Sequence, residues 1–181
     1  KYGLSFYMQY LAHWPEYFQV AESSSGEIMG YIMGKAEGHG ENWHGHVTAL
    51  TVSPDYRRLR LAATLMSWLE DVSEKSYYHQ LFPPRANALV MLSSTAEDGE
   101  IEVRISVGKR TYFVDLFVRV SNKVAISMYK QLGYIVYRTV LEYYSGDPDE
   151  NAYDMRKALS RDVKKKSVIP LSHPVRPEDV D

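Results

Sequence analysis

The stretch YRRLRLAATL, Tyr56 to Leu65, sets three arginines before a pair of small residues, where a strand-like run gives way to a helical one. The first amides of a helix have no partner within it, and the helix dipole adds positive charge there. Ala62 and Ala63 let an anion come close to that backbone, and Arg57 and Arg58 can add charge-assisted hydrogen bonds. Basic residues in a first turn oppose the dipole, which favours an anion partner over a merely solvated turn. Neither G-x-x-x-x-G-K-[ST] nor G-x-G-x-x-G occurs, which argues against a nucleotide triphosphatase or a dinucleotide-binding fold.

Other residues carry chemistry less clearly. His46 and Thr48 stand two apart in a strand-like run, and so share a side. Tyr129 lies at helical spacing from Ala125, a position equally suited to plain core. Tyr143 and Tyr144 are two of 15 tyrosines and can be ordinary strand aromatics. His39, His44, His46 and Glu41 match no metal-binding spacing, so no metal is expected. Lys164, Lys165 and Lys166 read as a solvated run. Cysteine is absent, which excludes disulfides and thiol chemistry and fits a reducing compartment. The net charge of -2 gives no support for general nucleic-acid or membrane binding, and no apolar run is long enough to span a bilayer.

The elements that must position these residues follow from periodicity. A short helix is expected over 2–11, strands over 17–22 and 27–36 about the turn Ser23–Gly26, and a strand over 43–52. Pro54 breaks it, and Asp55 is expected to cap a helix from about Tyr56 to Glu74, whose buried face is Leu61, Leu65, Leu69 and Val72. A buried-type strand covers 112–120. A second helix, 121–132, is expected to take Ser121 as its N-cap and Gly133 as its C-terminal glycine, with Val124, Met128 and Leu132 as its apolar face. Strands 134–144 and 152–158 flank the turn at Ser145–Pro148. From residue 160 an extended tail is expected, docked or disordered. Strand, helix, strand from 43 to 120 implies a parallel, right-handed crossover, hence an α/β fold with a mixed sheet.

Three stretches, HVTALTVSPDYRRLRLAATLM, VDLFVRVSNKVAISMYKQLGYIVYRTVLEYYS and DENAYDMRKALSRD, resemble the GNAT acyltransferases, and among them the NatB-type N-terminal acetyltransferases. The resemblance extends through the tail IPLSHPVRPEDVD. The GNAT signature [QR]-x-x-G-x-[GA] falls on Arg57 to Ala62. It implies a GNAT fold with helices on both faces of the sheet, and acetyl-CoA as co-substrate. The pantetheine arm would run along the backbone at Leu50 and Val52, and the pyrophosphate would rest on the loop of Arg57, Arg58, Arg60, Leu61 and Ala62. Asn122 and Tyr129 would stand beside the arm and the thioester, with Tyr129 giving a proton to the leaving thiolate. Tyr2, Tyr143 and Tyr144 would hold the peptide, Tyr143 close to the reaction, and His46 and Thr48 would read its second residue. The implied activity is acetylation of nascent N-termini beginning Met-Asp, Met-Glu, Met-Asn or Met-Gln. The implied partner is a helical-repeat auxiliary subunit of the NatB complex, which brings the enzyme to the ribosome in the cytoplasm. A catalytically weakened partner-binding protein and a lysine or small-amine acetyltransferase are the alternatives.

The chain departs from the family in three places. It begins at Lys1 without Met, and the family's first strand, with an acidic substrate-binding residue, is expected to be missing. Residues 76–110 form an insertion within a single domain spanning 1–159. It reads either as a peripheral hairpin, with Ile101, Val103, Ile105 and Val107 alternating, or as unspliced sequence. Arg60 stands where the signature has glycine, which should weaken cofactor binding if its φ is positive.

Overall fold

The computed structural model describes residues 3–75 and 110–180. The element order is α1 (Leu4–His13), β1 (Phe18–Glu22), β2 (Ile28–Glu37), β3 (His44–Val52), α2 (Leu61–Glu74), β4 (Phe113–Arg119), α3 (Lys123–Gln131), β5 (Ile135–Tyr144) and β6 (Glu150–Ala158). They form a six-stranded sheet in the order β1-β2-β3-β4-β6-β5. Among these described strands β3 and β4 run parallel, joined through α2, and the other neighbouring pairs are antiparallel. The mixed α/β sheet is the one expected. Among the described residues no helix is long and apolar enough to cross a membrane.

The main core lies between one face of the sheet and the helices α2 and α3. Ile32, Val47, Val114, Leu116 and Met155 meet Leu65, Met66, Leu69 and Val72 of α2, and Ile126 and Tyr129 of α3. Glycine brings α2 close: a Cβ at Gly34 would lie 2.8 Å from Leu69 Cδ1. The short helix α1 belongs to β2 and β3, where Tyr7 and Tyr31 share a hydroxyl hydrogen bond of 3.0 Å.

Several expectations need correction. The long helix begins at Leu61, not near Tyr56, because Arg58 and Arg60 both take the left-handed region, φ 67° and 62°. The arginines therefore form a loop ahead of the first turn, and Asp55 caps nothing. Asn122, not Ser121, caps α3, its Oδ1 accepting from the Ala125 amide at 3.2 Å. That start turns Ile126 and Tyr129 inward and leaves Val124 84% exposed; Met128 and Leu132 pack at the margin of the core. Gly133 follows α3 with φ 92°, as expected.

The tail is docked. Val175 bridges to Val140, its amide donating to Thr139 O at 3.0 Å and its carbonyl accepting from Leu141 N at 2.9 Å. Leu171 N donates to Tyr137 O at 2.8 Å. Asp162 accepts from the amides of Lys166 and Ser167 and from the Ser167 hydroxyl, which fixes the turn between β6 and the tail. Tyr2 and the expected hairpin of residues 101–107 lie outside the described residues.

Candidate active site

The ladder between β3 and β4 runs from His44↔Phe113 to Val47↔Leu116 and no further. Beyond it, among the described residues, β3 continues to Val52 paired only with β2, and β4 continues to Arg119 paired only with β6. Two parallel strands thus part in mid-sheet, leaving a gap with Leu50 and Val52 along one side and Phe117 to Arg119 along the other. The register between β2 and β3 also shifts here, skipping Thr48.

The N-terminus of α2 closes the end of β3. Its first intrahelical bond is Thr64 N to Arg60 O, 3.0 Å, and no side chain caps it. The amides of Leu61, Ala62 and Ala63 carry no hydrogen bond among the described residues, and no acidic residue occupies the first turn. Arg57, Arg58 and Arg60 are exposed around them. Arg57 Nε reaches back to Val52 O at 3.4 Å, tying the loop to the strand end. An uncapped end of a 14-residue helix ringed by guanidinium groups fits a pyrophosphate. The fit has a cost, since Arg60 holds a left-handed conformation that glycine adopts freely.

A wall of rings stands at the other side of the gap. Tyr143 stacks on Phe117, with centroids 4.7 Å apart and planes 16° apart, and His46 tilts against the same Phe117 at 5.6 Å. The Tyr144 hydroxyl donates to Phe117 O at 3.1 Å, and its ring lies 4.2 Å beneath the Arg119 guanidinium. Thr48 donates to the Tyr10 hydroxyl at 3.1 Å. His46, Tyr143 and Tyr144 are therefore brought together, through a phenylalanine that the sequence reading did not single out. Phe117 alternates with Asp115 along β4, so both stand on the side opposite Val114, Leu116 and Val118. That alternation was the available signal.

Behind His46 lies a second overlooked residue. Asp115 is buried, with Oδ1 2.8 Å from His46 Nδ1 and Oδ2 3.5 Å from His44 Nε2. A lone acid in the apolar run FVDLFV marks it as buried and partnered; nothing in the sequence names the partner. Burial alone would lower the His46 imidazole, but the Asp115 charge, its hydrogen bond and Glu37 outweigh this, and its pKa rises. Asp115 is pulled the other way, burial being overcome chiefly by His46. Further along, Asp154 is fully buried between Arg138 and Arg156, at 2.9 Å and 3.1 Å.

The two residues of the α3 region expected beside the cofactor, Asn122 and Tyr129, behave differently from one another. Asn122 spends its carbonyl oxygen on capping the helix. Tyr129 is buried edge-on against Tyr134, 5.9 Å between centroids, and its hydroxyl makes no hydrogen bond among the described residues. Burial pushes this phenol up to about 12, so it keeps its proton at neutral pH.

The Acetyltransferase (GNAT) family model matches residues 2–84. The N-terminal acetyltransferase B complex catalytic subunit of Arabidopsis thaliana is 52% identical over 180 residues, covering 99% of this chain and 84% of that protein. The crystal structure of Chaetomium thermophilum Naa20 in complex with a bisubstrate analogue has a TM-score of 0.75 at 37% identity, covering 98% of this chain and 85% of that one. The NatB acetyltransferase complex bound to CoA and MES gives 0.64 at 34% identity, covering 88% and 84%. The parted sheet over an uncapped helix is that of a GNAT acetyltransferase. The chain belongs to that family, in the branch of NatB catalytic subunits.

Proposed function

We propose that this chain is an acetyl-CoA-dependent Nα-acetyltransferase acting on protein N-termini that begin Met-Asp, Met-Glu, Met-Asn or Met-Gln, as the catalytic subunit beside an auxiliary partner. The observation that carries the reading is the parting of β3 from β4 beyond Val47↔Leu116, with an uncapped helix end on one side and His46, Phe117 and Tyr143 on the other. The NatB likeness supports an auxiliary subunit; on our reading that subunit is a helical-repeat protein that holds the enzyme at the ribosome in the cytoplasm.

Acetyl-CoA supplies the activated acetyl thioester. The Leu61 to Ala63 amides, with Arg57 and Arg58, would hold its pyrophosphate, and the β3 backbone at Leu50 and Val52 would line the pantetheine arm. A terminal amine has an ordinary pKa of about 7.7–8.0, so a useful fraction is already neutral near pH 7. Positioning of that amine is then most of the catalytic task. Tyr143 and Tyr144 flank the peptide. Tyr129, holding its proton at neutral pH, donates a hydrogen bond to the leaving sulfur. A phenol near 12 gives up its proton less readily than a thiol near 8.5, so this hydrogen bond is its main contribution. Backbone donors of β3 past the ladder stabilise the developing oxyanion.

The weakened-enzyme reading has one observation in its favour, the left-handed Arg60. Initial rates on peptides differing only at residue 2, with the auxiliary subunit present, decide between the two. Turnover of Met-Asp, Met-Glu and Met-Asn peptides but not Met-Ser peptides is expected. Acetyl-CoA binding without turnover would leave a partner-binding protein.

A further inference from the structure

Asp115 adjoins His46 in the parallel ladder and Arg156 in the antiparallel one, so it stands in mid-sheet at the closed end of the gap. Its Oδ1 lies 2.8 Å from His46 Nδ1. A carboxylate can only accept, so Nδ1 carries the proton and Nε2 is left as the nitrogen free to face a ligand. Nε2 makes no hydrogen bond among the described residues, and the ring, side chain 13% exposed, is held against Phe117 in the peptide wall. We propose that Asp115 is a positioning residue for substrate choice: it orients His46 and presents Nε2 as a charged donor, so that an acidic second residue is preferred over its amide.

The proposal rests on the reading of His46 as the residue that meets substrate residue 2. The titratable and charged groups around the ring are Lys35 and Glu37 on β2, His44 on its own strand, Asp115 on β4 and, behind Asp115, Arg156 on β6; from α1, the Tyr10 hydroxyl accepts from Thr48. Of these, Asp115 is the one hydrogen-bonded to the ring, and the sum favours the imidazolium. An imidazolium meets a carboxylate as an ion pair but an amide only as a neutral acceptor, so the carboxylate gains the added attraction of opposite charges. Loss of the imidazole proton removes that advantage. Met-Asp should therefore lose ground to Met-Asn as pH rises through the His46 titration.

The test is the ratio of kcat/KM for Met-Asp over Met-Asn peptides between pH 5.5 and 9, using the full chain with its auxiliary subunit. Ionisation of the terminal amine affects both peptides alike and cancels. The ratio should fall about five- to tenfold across one inflection. Asp115→Asn should move that inflection to lower pH, and His46→Gln should remove it. A ratio flat with pH in the unaltered protein overturns the proposal, whether or not Asp115→Asn folds. So does an inflection that survives His46→Gln, or one that stays in place in folded Asp115→Asn while both peptides lose rate equally; the pair would then serve only to join β3 to β4. The underlying reading fails separately, if His46→Ala leaves the kinetics of both peptides unchanged.

Discussion

Tyr143 lies flat on Phe117, with ring centroids 4.7 Å apart, where the β5–β6 hairpin meets the stretch of β4 that has left β3. This stack ties β5 to β4 on the side of the gap proposed to hold the peptide. A stacked aromatic pair is worth about 0.5–1.5 kcal/mol beyond area burial. Phe117→Ala should thus lower kcat/KM for Met-Asp peptides by roughly tenfold, mainly through KM. Acetyl-CoA affinity, measured by calorimetry, should hold, since the arginine loop proposed to bind it follows the other strand. Equal losses in both would place Phe117 in the general packing of the gap.

His46→Ala removes a hydrogen-bonding group from the same wall. The expected cost is roughly 1.5–3 kcal/mol in transition-state binding of Met-Asp and Met-Glu peptides. Acetyl-CoA binding should be unaffected. Unchanged peptide kinetics would leave His46 as part of the buried network with Asp115.

Arg60→Gly relieves a left-handed backbone that costs a non-glycine residue roughly 1–2 kcal/mol. Glycine's greater freedom in the unfolded chain returns about 0.5–1 kcal/mol of that. A small rise in Tm and tighter acetyl-CoA binding are expected together. In the unaltered protein, acetyl-CoA at a hundredfold excess over Kd should add about 2.7 kcal/mol of stability. Weaker binding in Arg60→Gly would make the guanidinium itself an anion ligand.

How much of this was legible beforehand varied with the physics. The face of α2 followed from spacing alone, because Leu65, Leu69 and Val72 repeat at the helical period. Its start did not, because Arg58 and Arg60 are good helix formers driven into the left-handed region by the loop between β3 and α2. On α3, Ser121 and Asn122 are adjacent and both able to cap, and moving the cap by one residue changes which side faces the core. The arginine loop, His46, Thr48 and the tyrosine pair came from motif and resemblance. Asp115, Phe117 and Tyr10 joined them only when strands distant in sequence were laid side by side.

Glu150 offers a pH test of the β4–α3 junction. Its carboxylate accepts from the Ser121 amide at 2.9 Å and from the Arg119 guanidinium at 2.9 Å. Hydrogen bonds from Ser121 and Arg119 hold this carboxyl down to about 2. A depressed carboxyl stabilises the fold above its unfolded pKa near 4.5 and loses that contribution as pH falls toward 2. Glu150→Gln should lower Tm at pH 7 and match the unaltered protein near pH 2. A gap in Tm that persists undiminished at pH 2 would contradict the assignment.

Removal of residues 77–109 should leave the site undisturbed. The two ends of that segment are already held together: Thr111 N donates to Ser73 O at 3.0 Å, and Arg110 Nε to Glu74 O at 3.0 Å. Joining Ser76 to Arg110 leaves a connection within the common range of about 2–6 residues. The shortened chain should keep its acetyl-CoA affinity and acetyl-transfer rate. An insoluble product, or one that no longer binds acetyl-CoA, would make the segment part of the core.

Delivery of an acetyl group to a terminal amine chosen by its second residue is what the gap is proposed to do. It is tested most directly by giving the full chain, with its auxiliary subunit and acetyl-CoA, two peptides that each contain an internal lysine and begin Met-Asp or Met-Ser. Mass spectrometry then maps the acetyl group. Acetylation of the Met-Asp α-amine alone is expected, with both lysines and the Met-Ser peptide unmodified. Acetyl-lysine, or α-acetylation of the two peptides at equal rates, would contradict it.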